Sequence, residues 1–414
     1  MSERVLVLGD DSRAFLAVVR SLGRRGLEVH AAPADPAEPA LASRYIVATH
    51  RLPTYALAPG AWEAALRRLI DDWDYRLIVP CGDSSLVQLH HHAGALDRAR
   101  LALPNEEAFD AFTDKDRTRA LAQRLGIPIA DGRALAPDET AFDLRARYGL
   151  PLLLKPSRSY RIGDAADKRS ARILRSAAGL ERALAAGEGA DCIVESYVPG
   201  EGVGVSVVGR AGRIVLAYQH RRLHQSSETG ISTSRVAEPV DPQLLGEVEA
   251  LAGAVALDGV AMFEFRCDRE SGRHVLLEVN PRFWGSLPLA LAAGADFPAI
   301  LYDQVTGRAP GPRAGYRAGV VKRDFTGEYE RRVDLSETAP SPLAKARWAL
   351  AAVAVLLWRR GAADSWAADD PAPFRAERRQ LAKRILWAAL KRLSLPRPSR
   401  ARQAEAAAGA PARL

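Results

Sequence analysis

A chain of 414 residues is too long for one simple core, so two or three domains are expected, and 48% hydrophobic with 26% charged residues excludes wholesale disorder. The net charge of +8 is local: residues 341–414 hold 15 Lys and Arg against 5 Asp and Glu, whereas the first 340 hold 43 against 45. The body therefore lacks the positive excess of a nucleic-acid binder, and only the tail has the sign to meet an anionic partner.

Three scattered cysteines, Cys81, Cys192 and Cys267, fit no metal-ligand or redox spacing and point to a reducing compartment. The opening MSERVLVLGDD runs straight into a strand with no signal-peptide core, so a cytoplasmic location is the expectation. Arg4 to Gly9 reads as a buried parallel strand, Ser12 to Arg25 as a helix closed by Gly26, and Leu27 to Ala31 as the next strand. A helix over Trp62–Trp73 and a strand over Arg76–Pro80 repeat the unit. Residues 1–105 are thus expected to form a small doubly wound domain.

Next, Thr113 and Asp116 have capping-box spacing ahead of a helix that stops at Gly126. Tyr148 to Pro156 reads as a turn, a leucine-rich strand and a lysine, and further strands are expected at Asp191–Val198, Gly204–Val208 and Arg213–Gln219. A helix at Pro242–Leu257 then precedes strands at Gly259–Cys267 and His274–Val279. Strands outnumber helices here, which indicates an α+β core. From Arg313 the chain is rich in Gly, Arg and Pro. The apolar run Trp348–Trp358 is shorter than the roughly 20 residues a membrane span needs. Leu381, Ile385, Ala389, Leu386, Leu390 and Leu393 give a basic helix an apolar face, and residues 396–414 have a disordered composition.

The chemistry concentrates in Leu276-Leu277-Glu278-Val279-Asn280-Pro281-Arg282. Glu278 and Asn280 are two apart on a strand, so both leave one face, and Pro281 stops the strand. Glu264, in Met262-Phe263-Glu264-Phe265, puts a second carboxylate on a neighbouring strand. Two carboxylates and an amide oxygen suit Mg²⁺ when phosphate oxygens complete its shell. Lys155 leaves a leucine-rich strand and needs an anionic partner. Other signals carry less. Gly9-Asp10-Asp11-Ser12 lacks the dinucleotide fingerprint, His90-His91-His92 would point in different directions on a helix, and Cys81 has no neighbouring base.

The order and spacing of Lys115, Lys155, Glu195-x-x-Val198, Glu264 and Glu278-x-Asn280-x-Arg282 resemble the ATP-grasp superfamily, which includes D-alanine–D-alanine ligase, biotin carboxylase and carbamoyl-phosphate synthetase. Asn-Pro-Arg-Phe-Trp-Gly-Ser-Leu from Asn280 and Gln-His-Arg-Arg-Leu from Gln219 are most similar to its carboxylate–amine ligase-like branch. The resemblance covers roughly residues 1–310. It implies an N-terminal Rossmann-like domain (1–105), an ATP-grasp domain (106–312, with lobes 106–190 and 191–312) and a basic helical extension (313–414).

The resemblance also implies roles. Lys115 and Lys155 would meet ATP phosphates, and residues 157–163, with Arg158 and Arg161, would close over them. Backbone groups near Glu195 and Val198 would read adenine, and Glu201 would hold the ribose. Glu264, Glu278 and Asn280 would bind Mg²⁺, which Mn²⁺ could replace, while Arg282 and Lys155 would serve catalysis. His220, Arg221, Arg222 and Arg235 would face an acidic substrate. The implied activity is ATP-dependent activation of a small-molecule carboxylate as an acyl phosphate, followed by transfer to an amine or similar nucleophile. Two alternatives stand beside it: a bicarbonate-activating enzyme and a silent ATP-binding regulatory protein. A homodimer is admitted, as is peripheral contact of the basic tail with the inner membrane face.

Overall fold

The computed structural model describes residues 3–9, 12–55, 58–160, 169–226, 231–308, 315–357 and 360–394. The chain begins with β1 (Arg4–Gly9), α1 (Ser12–Arg24), β2 (Glu28–Pro33), β3 (Ile46–Thr49), α2 (Pro59–Trp73), β4 (Leu77–Pro80) and α3 (Asp83–His92). The four strands form one parallel sheet in the order β3-β2-β1-β4. Alternation along β1 sends Val5 and Val7 into a core with Phe15 and Val18 of α1, and Leu6 and Leu8 into another with Trp62 and Leu66 of α2. Burial on both faces makes the strand continuously apolar, and each such side chain contributes roughly 1.5–3 kcal/mol. This is the doubly wound layer expected from the sequence.

α4 (Glu106–Thr113) and α5 (Lys115–Arg124) follow. The capping box expected at Thr113 does not form. Thr113 ends α4, and Asp114 caps α5 by accepting from the backbone N–H of Asp116 and Arg117. A carboxylate in the residue adjoining the helix is the stronger acceptor for its free N–H groups.

Two antiparallel sheets come next. β5 (Gly132–Ala134), β6 (Leu152–Pro156), β7 (Arg172–Leu174) and β8 (Cys192–Ser196) form the smaller, ordered β5-β8-β6-β7, with α6 (Ala141–Tyr148) and α7 (Ala177–Ala185) packed on it. The larger contains β9 (Glu201–Arg210), β10 (Arg213–Gln225), β11 (Ser232–Glu238), β12 (Gly259–Cys267), β13 (His274–Asn280) and β14 (Val321–Arg323), ordered β13-β12-β9-β10-β11-β14. α8 (Pro242–Ala254) packs on the face carrying Val203, Val205, Phe263 and Phe265. α9 (Leu287–Ala293) and α10 (Phe297–Val305) lie between the other face and α1.

Three expected boundaries move. β8 belongs to the smaller sheet, so the chain changes sheets between Ser196 and Glu201 rather than at 190. β14 extends the larger sheet past 312. β10 continues to Gln225 instead of ending at Gln219, because β9 pairs with it as far as Arg221 and β11 as far as Gln225, which outweighs its polar composition.

The last helices are α11 (Phe325–Thr338), α12 (Pro342–Ala354) and α13 (Ala372–Ser394), gathered around Phe325, Val355, Phe374 and Leu381. Buried ion pairs fasten them to the body: Asp364 to Arg235, and Asp370 to Arg20 at 2.9 Å. No helix among the described residues is long and apolar enough to cross a membrane. The segment expected to be disordered, 396–414, lies outside the described residues.

Candidate active site

Glu264 of β12 stands directly opposite Glu278 of β13, and Asn280 lies opposite Met262 on the same ladder. Opposed residues of an antiparallel pair share a face, so the two carboxylates and the amide gather at one end of the sheet. Asn280 Nδ2 donates to Glu278 Oε1 at 3.3 Å, while its Oδ1 accepts from Arg282 Nη2 at 2.9 Å. Arg282 also reaches across to the N-terminal layer, where Nε and Nη2 donate to the two oxygens of Asp83 at 2.5 and 2.8 Å. Asp83 begins α3 directly after β4, at the carboxyl end of a parallel strand, where open α/β sheets bind ligands.

Lys115, the first residue of α5, donates from Nζ to Ser159 Oγ at 3.2 Å and shares a cleft wall with Asp83, Glu278 and Asn280. Lys155 is buried on β6, and its partner is not left open: Nζ lies 2.5 Å from Glu195 Oε2, whose other oxygen accepts from Arg119 at 2.6 Å. Burial pushes the Glu278 carboxyl up, but the Lys115 and Lys155 ammoniums outweigh it and hold the group below its ordinary value. Burial leaves Glu264 raised. The Arg222 guanidinium, bound to its carboxylate, pulls against that shift, and the Glu278 charge adds to it.

The cleft between these residues encloses about 30 Å³, room for a water but not for a triphosphate. Any ligand much larger than a water would need the wall at Ser159 and Tyr160 to retreat. In the segment expected to close over phosphates, Ser157 Oγ donates to Asp116 at 2.9 Å and Arg158 Nε to Asp114 at 3.1 Å. Arg161 and Gly163 lie outside the described residues. A larger cavity, about 740 Å³, is walled by Arg13, Asp324, Asp364 and Glu377 and has no residue in common with the cleft.

Several expected substrate and nucleotide contacts need revision. Arg235 is 1% exposed and is held by Asp364 and the Ser232 carbonyl, so it faces no substrate. His220 is 2% exposed, and burial drives its pKa down to about 3, which keeps the imidazole neutral and unsuited to an acidic ligand. Arg221 points to the opposite sheet face, paired with Glu238 and Glu201. Arg222 alone of the four meets the carboxylate cluster.

Glu201 shares the face of Val203 and Phe265, against Arg221 and Arg269, because alternation puts Gly202 and Gly204 on the Glu264 side. That orientation is against a ribose contact. Glu195 lies on an inner strand, opposite Gly132 on one side and Leu153 on the other, so its peptide belongs to the ladder and its carboxylate does the bonding. The first residues past that ladder are Tyr197 and Val198, on the connection between the two sheets.

Asp83 was not singled out from the sequence; its signal was position after β4, beside the Cys81 that was set aside. Cys81 is fully buried. The histidine run holds no metal cluster among the described residues: His90 stacks on Phe109 and pairs with Glu106, and His92 pairs with Glu63.

A sequence profile described as ATP-grasp in the biosynthetic pathway with Ter operon matches residues 188–324. The pyruvate carboxylase of Schizosaccharomyces pombe is 26% identical over 196 residues, which are 43% of this chain and only 16% of that protein. In three dimensions the chain is similar to N5-carboxyaminoimidazole synthetase from Staphylococcus aureus complexed with ADP, with TM-score 0.61 and 14% identity over 81% of this chain and 86% of that one. It is also similar to an L-amino acid ligase from Bacillus licheniformis, with TM-score 0.56 and 16% identity over 73% and 74% of the two chains.

Proposed function

We propose that this chain, a member of the ATP-grasp superfamily, is a ligase that spends ATP to activate a carboxylate and transfers the acyl group to an amine or similar nucleophile. The observation that carries the reading is the convergence of Glu264, Glu278 and Asn280 with Lys115 and Arg282 at the end of β13. The likeness to an L-amino acid ligase supports ligation as the reaction class.

The residues fit a divalent metal. Glu264 and Glu278 place two carboxylates on opposed positions, and Glu264 is paired with a cation, the Arg222 guanidinium. Glu264, Glu278 and Asn280 would hold Mg²⁺ or Mn²⁺ through oxygen, with phosphate oxygens and water filling the other positions. Bound there, the metal would neutralise phosphate charge as a Lewis acid.

Lys115 and Lys155 hold the phosphate chain, and the peptides around Val198 receive the base. A carboxylate oxygen of the substrate attacks the γ-phosphorus in line, the bond to the β–γ bridging oxygen breaks, and ADP leaves with that electron pair. Arg282, fixed by Asp83 and Asn280, presents a planar fork to the oxygens on which charge grows. An amine nitrogen then attacks the acyl carbon, loses a proton to solvent or a neighbouring base, and expels phosphate.

The test is Mg-ATP turnover over pooled small carboxylates with hydroxylamine as trap. Hydroxamate with ADP from the wild type, and neither from Glu278→Ala, is the expected result. AMP in place of ADP sinks the acyl-phosphate route. Silence from a protein that ATP still protects against heat leaves a nucleotide binder or an enzyme whose carboxylate lies outside the pool.

A further inference from the structure

α12 is apolar on two sides and uses only one. Ala352 is buried, as is Val355 in the 3-10 turn Val355–Leu357 that continues the helix, and Ala351 O accepts from Arg332 of α11. On the other side Leu343, Leu350, Val353 and Leu357 recur at intervals of three, four and seven, one stripe of a helix, and are 48–85% exposed. α13 behaves likewise. Its Leu381 is buried in the cluster with Phe325, Val355 and Phe374, whereas Leu386, Trp387 and Leu390 are more than half exposed and follow the exposed Arg379 and Lys383 on the same side. Both helices pack on α11, α12 through Arg332 and Ser336, α13 through Thr326 and Glu330. Of the twelve most exposed large apolar side chains described, seven fall within residues 343–390. Scattered exposed leucines need no explanation, but that concentration does.

Charge identifies what covers it. Of the acids described in residues 341–414, Asp364 turns inward to Arg235, Asp370 to Arg20 and Ser43, and Glu377 to Ser365 and Thr326, while the exposed Asp369 is paired with Arg24 and Tyr45. Lys345, Arg347, Arg375, Arg378, Arg379 and Lys383 are exposed, so the outward charge of the segment is positive. A second copy of the chain would set this sign against itself. A nucleic acid would pair with the bases and leave the leucines in water. An anionic bilayer takes both, with leucine and tryptophan among the headgroups and the cations at the surface.

We propose that the exposed faces of α12 and α13 seat the protein on an anionic phospholipid surface. Full-length protein is floated with phosphatidylcholine vesicles, with and without phosphatidylglycerol, at low and high salt. Binding is expected only with phosphatidylglycerol and weakens with salt. Leu386→Ser/Trp387→Ser/Leu390→Ser and, separately, Leu350→Ser/Val353→Ser lower partition by ~10-fold or more, and Arg379→Glu/Lys383→Glu does so at low salt. The substituted side chains are exposed, so unchanged melting temperatures verify the fold. Absence of binding to phosphatidylglycerol vesicles at low salt overturns the proposal, as does equal binding to phosphatidylcholine alone. So does a triple variant that binds vesicles like wild type while a wild-type dimer becomes monomeric.

Discussion

Arg282 and Asp83 form a two-pronged ion pair that joins the end of the larger sheet to the first turn of α3 in the N-terminal layer. The two side chains are 14% and 24% exposed, so the pair is partly desolvated and its geometry is set by two separate layers. Arg282 is thereby aimed by the protein's own groups, which is the condition for a guanidinium to stabilise charge without reorganising.

Asp83→Asn removes the charge and keeps the shape. The expected outcome is a loss of ~10–100-fold in kcat with little change in the heat protection given by ADP, because Lys115 and Lys155, proposed to meet the phosphates, are untouched. A fall in ADP protection equal to the fall in kcat would instead make Asp83 a nucleotide-binding residue.

Glu195 is shared by Lys155 and Arg119, and the three side chains are 4%, 7% and 11% exposed. Glu195→Gln leaves two poorly hydrated cations without their carboxylate and should cost ~3 kcal/mol in urea unfolding. Mg-ADP returns an anion to Lys155, so the variant should gain more from the nucleotide than wild type does. Equal gains would remove Lys155 from the phosphate site.

What could be read in advance follows sequence distance. Glu278 and Asn280 lie two apart on one strand, and Glu264 is joined to them by a short hairpin, so strand alternation alone puts them together. Asp83 meets Arg282 across 199 positions, and Asp364 meets Arg235 across 129, contacts that no local pattern encodes. For the same reason Arg235 read as a substrate ligand although it is a buried structural cation. Glu201 was expected at the ribose from the resemblance alone, and a shift of one residue on a strand reverses the side chain, so that on β9 Glu201 faces away from Glu264.

Removing either carboxylate should uncouple nucleotide from metal. Wild-type melting in ADP should rise further when Mg²⁺ is added and fall back with a chelator. Glu278→Gln and Glu264→Gln should keep the ADP effect and lose most of the metal increment. A full metal increment in both variants would place the cation elsewhere.

Glu377 lies against Ser365 and Thr326, and burial, reinforced by the charge of Asp324, raises its pKa to about 7. A raised carboxyl binds its proton more tightly in the folded state. Its contribution is therefore present below the unfolded value near 4.5 and is lost as pH rises through about 7. Glu377→Gln mimics the protonated form and should be more stable than wild type at pH 8, by roughly 1–2 kcal/mol, with no advantage at pH 4.5. The readout is the difference in urea midpoint between the two proteins across that range.

His220 gives the opposite slope. Its ring lies against Gly204, where an added Cβ would come within 2.3 Å of Cε1, and Nε2 is 3.3 Å from Ser286 Oγ. Burial first, then the Arg222 and Arg235 charges, lowers the folded pKa to about 3 from an ordinary 6.5. Between those values the unfolded chain binds a proton that the folded chain refuses. Stability from this site is thus complete above 6.5 and declines by up to ~1.4 kcal/mol for each unit the pH falls below it. His220→Asn cannot titrate there. The gap in unfolding free energy between wild type and variant should narrow steadily from pH 6.5 to pH 5 as wild type loses this share. A gap that stays constant over that window would mean that His220 takes up a proton in the folded state, returning it to the list of cations facing the cleft.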